Sequence, residues 1–99
     1  MSDPIITHDP GRNRFEITLD GSVIGTSFYR QDAGRRVFTH TEVDPQHQGK
    51  GLAGQLIKYA LDDTKQQGLR VVAQCPAVAA FASKHSEYDE IIDRDVAPS

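Results

Sequence analysis

The sequence predicts an α+β domain: an antiparallel β-meander followed by β-α-β-α, with a mixed sheet and two helices. Three observations carry this. Residues 14–43 alternate apolar and polar side chains between turn dipeptides, residues 51–67 switch to a helical repeat, and a short apolar strand then leads into an alanine-rich segment.

Residues 1–13 contain Pro4, Pro10 and Gly11 with little periodicity, so they read as a flexible N-terminal segment with at most a short strand near Ile5-Ile6. From Arg14 the stretch "RFEITLD" sets Phe15, Ile17 and Leu19 against Arg14, Glu16 and Thr18, the period of a half-buried strand. Asp20-Gly21 suits a type I′ hairpin, which needs positive φ at both positions. "SVIGTSFYRQ" returns as a second strand, "DAG" turns again, and "RRVFTHTEV" supplies a third, rich in Val, Phe and Thr. The Arg35-Arg36 pair reads as part of a surface hairpin.

From Gly51 to Gln67 apolar residues fall at 52, 53, 56, 57, 60 and 61, a helical stripe, with Asp62, Asp63 and Lys65 on the polar side. Gly68 is placed to cap the C-terminus. "LRVVAQC" reads as an interior strand, parallel to the third through a right-handed crossover. Pro76 suits the first turn of the next helix, "PAVAAFASKH". A last short strand near Glu90–Ile92 precedes a tail. The expected organisation is therefore a folded domain at 14–92, flanked by the segment 1–13 and the tail 93–99.

At 99 residues the chain fits one domain. Its formal net charge of −3 gives no basic face for nucleic acid. No apolar run approaches the roughly 20 residues of a membrane span, and "MSDPIITHDPGRNRF" has no signal-peptide pattern. A single cysteine, Cys75, excludes an internal disulfide and fits a cytoplasmic setting. No metal site is expected, and a monomer is the default.

The informative stretch is "HQGKGLAGQL". Gly49, Gly51 and Gly54 spell G-x-G-x-x-G, but the dinucleotide reading fails its context. The following strand, "VVAQC", ends without an acidic residue for a ribose, and the preceding strand is not a continuous apolar run. A second frame, Gln46, Gly49, Gly51 and Ala53, gives Q-x-x-G-x-G-x-A between a strand end and a helix start. Small residues permit close backbone approach, and the first helical amides favour an anion such as a diphosphate. Lys50 adds a cation.

That frame, with "VVAQCPAVAAFASKHSEY" downstream, resembles a small subgroup of the GCN5-related N-acetyltransferases. The resemblance spans about residues 14–92, with Ala77 standing where a bulkier residue is common after Cys-Pro. It implies a minimal acetyltransferase fold using acetyl-coenzyme A. It also implies main-chain contacts from Thr41, Glu42 and Val43 to the pantetheine arm. The diphosphate would be cradled by Gln46, His47, Gln48, Gly49, Lys50, Gly51, Leu52 and Ala53.

Acyl transfer from a thioester to an amine needs a base, an oxyanion donor and protonation of the leaving thiolate. Cys75, ending a strand and preceding a helix, is a candidate acyl-carrying nucleophile or acid, since thiols at helix N-termini ionise more readily; a buried structural cysteine is the alternative. His40 is a candidate base, expected to share the face of Phe38 and Glu42 by period two; a solvent-facing or core histidine is the alternative. Glu42 is a second candidate, because family enzymes often use a strand glutamate near there. His8, His47 and His85 read as solvated or structural, and Tyr88 as an amphipathic cap on the core.

The expected function is transfer of an acetyl group from acetyl-coenzyme A to an amine on a small molecule, peptide or protein lysine. The alternative is a non-catalytic coenzyme A-binding module; a cysteine-dependent hydrolase is a third reading. The acceptor groove that family members build from extra N-terminal helices has no counterpart in this sequence, so the acceptor site is expected to be open or completed by a partner.

Overall fold

The two hairpin turns set the sheet. Asp20 and Gly21 have φ of 51° and 81°, and Ala33 and Gly34 have 50° and 84°. Positive φ at both turn positions is the type I′ geometry, whose twist matches the strands on either side. The computed structural model describes residues 3–93. Its elements are β1 (Ile5–Asp9), β2 (Arg14–Leu19), β3 (Ser22–Asp32), β4 (Arg35–Val43), α1 (Leu52–Gln66), β5 (Arg70–Ala73) and α2 (Pro76–Lys84). One sheet runs in the order β1-β2-β3-β4-β5. The first four strands pair antiparallel and β5 lies parallel to β4, as a crossover through α1 requires.

Alternation buries Phe15 and Ile17 of β2 on the face that meets α1 and α2. They share one core with Tyr29, Phe38, Leu56, Leu61, Val71 and Val78. Each of these side chains contributes about 1.5–3 kcal/mol by leaving water. α1 ends as its sequence predicts. Gly68 takes φ of 72°, its amide donates to the Lys65 carbonyl, and the Leu69 amide donates to the Thr64 carbonyl. That pair of bonds is a Schellman cap.

Four expectations need correction. The N-terminal segment, expected to be loose, contains a five-residue strand paired along its length with β2, from Ile5↔Thr18 to Asp9↔Arg14. Arg36, expected on a surface hairpin, is 4% exposed. Its guanidinium donates to Asp63 at 2.6 Å and to Thr64 at 3.1 Å, and lies over the rings of Phe15 and Tyr29. The strand expected over "LRVVAQC" is only four residues long, because Gln74 and Cys75 turn into α2. The strand near Glu90–Ile92 is reduced to one bridge, Val71↔Ile92. Residues 94–99 of the expected tail lie outside the described residues.

Candidate functional site

β4 and β5 pair over Arg35–Phe38 and Arg70–Ala73. The last contacts are the amides of Gln74 and Cys75, both donating to the Phe38 carbonyl at 3.1 and 2.8 Å. Beyond them β5 turns into α2, whereas β4 continues through Val43. The two strands therefore part at Cys75, and the β4–β5 ladder does not extend to Thr39–Val43 of β4.

β4 leads to the glycine loop. Asp44 caps a short 3-10 turn, Pro45–His47, by accepting from the Gln46 amide at 2.9 Å. The Gln48 side chain donates to the Val43 carbonyl at 3.1 Å, which folds the loop back on the strand end. Gly49 and Gly51 have φ of 82° and 75°, and a Cβ at either would meet nothing within 4 Å. Backbone conformation, not crowding, requires glycine there. Gly51 caps α1, and the first helical bond runs from the Gln55 amide to the Gly51 carbonyl at 3.1 Å. The amides of Leu52, Ala53 and Gly54 have no intrahelical acceptor and point out of the helix start. Lys50 is exposed beside them. Gly54 sits in the first turn with room for a methyl group, the nearest atom being Phe81 Cε2 at 4.0 Å.

The candidate catalytic residues divide between the two faces of the sheet. Pairing runs Phe28↔His40 but Tyr29↔Phe38, so Thr39 is an extra residue in β4. The bulge breaks the period-two count. Phe38 and Thr41 face the helices, and His40 and Glu42 face the other way. The expectation that His40 and Glu42 share the face of Phe38 is thereby corrected.

On the helix side the Cys75 thiol lies 3.5 Å from the Thr41 hydroxyl, which is 3.0 Å from the Ser27 hydroxyl. Cys75 is 3% exposed and Ser27 fully buried. On the open side His40 Nε2 and the Glu42 carboxylate are 3.2 Å apart, both largely exposed. The His40 ring stacks on Phe28, and the Arg14 guanidinium lies 6.0 Å from the centre of the Phe28 ring. Arg14 in turn pairs with Glu16 at 2.7 Å. The open face thus carries a ladder of contacts, Glu16–Arg14–Phe28–His40–Glu42.

Sequence reasoning missed two features. Ser27 is a polar residue at an inward position between Gly25 and Tyr29, a signal the alternation contained. His8, expected to be solvated, stacks on Phe15 with centroids 4.2 Å apart, and its Nε2 lies 2.5 Å from the Tyr29 hydroxyl. Burial, then the nearby Arg36 charge, holds His8 below the ordinary histidine value, against the opposing pull of Asp63 and Asp9. Burial raises Tyr29 in the same cluster. This cluster packs against the C-terminal half of α1, away from the glycine loop.

Tyr88 is a cap on the core, as expected, and is 2% exposed. Its hydroxyl donates to Asp62 at 2.6 Å, and Lys58 donates to Asp62 at 2.9 Å. Burial and the Asp62 hydrogen bond raise Tyr88. Burial would raise Asp62, but the hydrogen bonds from Tyr88 and Lys58 and the lysine charges outweigh it and leave the carboxyl lowered. His85 closes α2 and stacks on Phe81. Among the described residues no group of three or more His, Cys, Asp or Glu could hold a metal ion. Nor, among them, is any helix long and apolar enough to cross a membrane.

Residues 14–91 match the family model described as GCN5-related N-acetyl-transferase. Protein NATD1 from Homo sapiens is 31% identical over 82 residues, covering 81% of this chain and 73% of that protein. The Bos taurus protein of the same name is 29% identical over 82 residues, covering 81% and 73%. Among solved structures, a GCN5-like protein from Staphylococcus aureus superposes with a TM-score of 0.72 at 22% identity, covering 94% of this chain and 91% of that one. The PaiA N-acetyltransferase of Thermoplasma acidophilum, solved in complex with coenzyme A, gives 0.56 at 16% identity, covering 75% and 48%. At these identities the structural likenesses speak for the fold, and the family match over residues 14–91 speaks for kinship. The chain belongs to the GCN5-related N-acetyltransferase family.

Proposed function

We propose that this protein binds acetyl-coenzyme A and transfers its acetyl group to an amine. The observation that carries this reading is the parting of β4 and β5 after Phe38 beside the glycine turn at the start of α1. An extended pantetheine arm fits a strand edge that has lost its neighbour, because main-chain groups can pair with it as with an added strand. Thr41, Glu42 and Val43 supply that edge. The diphosphate fits the free amides of Leu52, Ala53 and Gly54, reached past Gly49 and Gly51, with Lys50 and the loop residues Gln46, His47 and Gln48 around it. The Thermoplasma acidophilum protein of like fold was solved with coenzyme A, which favours the same ligand here.

The chemistry follows from the two faces. An incoming ammonium passes a proton to the His40–Glu42 pair. Its neutral nitrogen attacks the thioester carbonyl, a C–N bond forms, and the C–S bond breaks. The coenzyme thiolate leaves with a proton, and the amide nitrogen sheds its second one. Cys75, held by Thr41 on the helix side, fits the role of thiolate partner better than that of acyl carrier. A nucleophilic thiol works beside a base, and the hydrogen-bond partner of the Cys75 thiol is the Thr41 hydroxyl, which is not one.

Intact mass spectrometry after incubation with acetyl-coenzyme A, with and without an amine panel, tests the reading. Acetylated amine and free coenzyme A are expected, with no stable acetyl group on Cys75. An acetyl group that disappears in Cys75→Ala favours an acyl-cysteine route. Binding without turnover on any amine favours a coenzyme A-binding module, and free coenzyme A without acceptor favours hydrolysis.

A further inference from the structure

A cavity of about 400 Å³ opens where β3 begins and β4 ends, lined by Val23, Thr26, Glu42, Val43, Asp44 and Pro45 among others. It lies on the β3 side of β4, across that strand from the gap beside β5. Its size falls in the range that takes small ligands. We propose that this cavity is the acceptor site, and that it selects a primary alkylammonium on an apolar stem. The acceptor role rests on the acetyl-transfer reading above; the cavity and its charge do not.

The cavity exists because β3 is irregular here. Pairing with β2 runs Ile17↔Gly25 and then Thr18↔Val23, which leaves Ile24 as an extra residue. A Cβ at Gly25 would sit 2.9 Å from Ile17 Cγ2, 3.1 Å from Val43 Cγ2 and 3.2 Å from the Glu42 carbonyl. Only glycine lets the strands close beneath the cavity. The Asp44 amide donates to the Ile24 carbonyl at 2.7 Å, which ties the loop to the bulge and fixes the far wall.

The lining chemistry defines the ligand. Val23 and Pro45 offer apolar surface, while the Val43 side chain turns to the helix face beside Ile17 and lends its backbone. Glu42 and Asp44 are carboxylates, and among the described residues the lining contains no cationic side chain. Asp44 spends one oxygen on the Gln46 amide and Glu42 one on His40, so each carboxylate keeps an oxygen for a cation, and Glu42 is the one beside His40 on the open face. Thr26 and Glu42 are cross-strand partners, and the next pair on the same face is Phe28 and His40. Successive rungs on one face are about 7 Å apart along a strand. A stem seated in the cavity therefore brings its ammonium past Glu42 toward His40, where the proposed proton transfer takes place. An anionic acceptor would meet two carboxylates instead.

Amide chemical-shift mapping tests this on the full chain saturated with coenzyme A. n-Butylammonium is the probe, n-butyrate the control of opposite charge, and a single-lysine peptide the protein-borne form of the same group. Saturable shifts at Val23, Gly25, Thr26 and Glu42 with the ammonium and not the carboxylate are expected. Val23→Arg should weaken that response at least tenfold and Val23→Glu should not, while both keep the coenzyme A shifts at Gln48–Gly54. A response to the peptide alone, at those same amides, identifies a protein lysine as the source. Absence of cavity shifts with both cations, or equal shifts with butyrate, overturns the acceptor site alone. Cavity shifts without any coenzyme A response overturn the transfer reading, and the acceptor role with it.

Discussion

The Cys75 thiol meets the Thr41 hydroxyl at 3.5 Å across the point where β4 and β5 separate. This contact joins the start of α2 to the strand edge proposed to hold the pantetheine arm, and Ser27 backs it from the core. Thr41→Val keeps the shape and removes the hydroxyl. Losing the Ser27 partner should cost about 1–2 kcal/mol, as an unpaired buried hydroxyl does. Acetyl-coenzyme A affinity should stay close to the parent, because the proposed contacts there are main-chain, and turnover should fall. Urea unfolding, calorimetry and steady-state rates separate the three effects. A change confined to affinity would contradict the assignment.

Gly54 makes a sharper case. A methyl group fits there, 4.0 Å from Phe81, so packing within the domain does not require glycine. Gly54→Ala should stabilise α1 by about 0.5–1 kcal/mol on helix propensity while weakening coenzyme A binding, because the added methyl stands beside the free amides. Thermal unfolding without ligand and titration with coenzyme A should move in opposite senses.

Tyr88→Phe removes the hydroxyl that holds the segment after α2 to Asp62 and Lys58 of α1. A hydrogen bond to a carboxylate that remains partly solvated predicts a loss of about 1–2 kcal/mol, read by chemical denaturation. Coenzyme A affinity should be little changed, because Asp62 lies near the far end of α1 from the glycine loop.

His8 gives a pH dependence of defined sign. Burial first, and Arg36 second, hold it below its ordinary value of 6.5, so the unfolded chain binds that proton more readily than the fold. Its contribution to stability is complete above about pH 6.5 and declines as pH falls through that value toward the folded-state value. His8→Phe keeps the stack on Phe15 and should flatten this part of the profile. Unfolding free energies at about pH 7.5 and about pH 5 in the two proteins provide the check.

Much of the fold was legible because local chemistry and tertiary packing agree. Asp20-Gly21 selects its turn by positive φ, Gly68 caps α1, and Pro76 opens α2. The parallel placement of β5 followed from the crossover alone. What was hidden depends on contacts between distant segments. β1 forms because β2 offers it an edge, not because Ile5-Ile6 signals a strand strongly. Arg36 is buried because Asp63 and Thr64, a helix away, receive its charge. The glycine loop could be read from residue types, since Gly49 and Gly51 need a left-handed backbone. The division of candidates between faces could not: one extra residue, Thr39, turns His40 and Glu42 away from Phe38, and nothing in "FTHTEV" marks it. The cavity lined by Gly25 was hidden for the same reason, as it arises from a bulge in β3.

The central claim is that the loop after β4 and the opened edge of that strand hold coenzyme A. Isothermal titration of acetyl-coenzyme A into the parent chain and into Gly51→Ala tests it most directly. A Cβ at the left-handed Gly51 should cost about 1–2 kcal/mol of local strain and displace the amides at the start of α1. One-to-one binding by the parent is expected, with a dissociation constant in the range of about 1 μM to 1 mM usual for enzyme substrates. A Gly51→Ala protein that remains folded should bind at least tenfold more weakly. No binding by the parent at millimolar ligand, or equal affinity in both proteins, would contradict the claim.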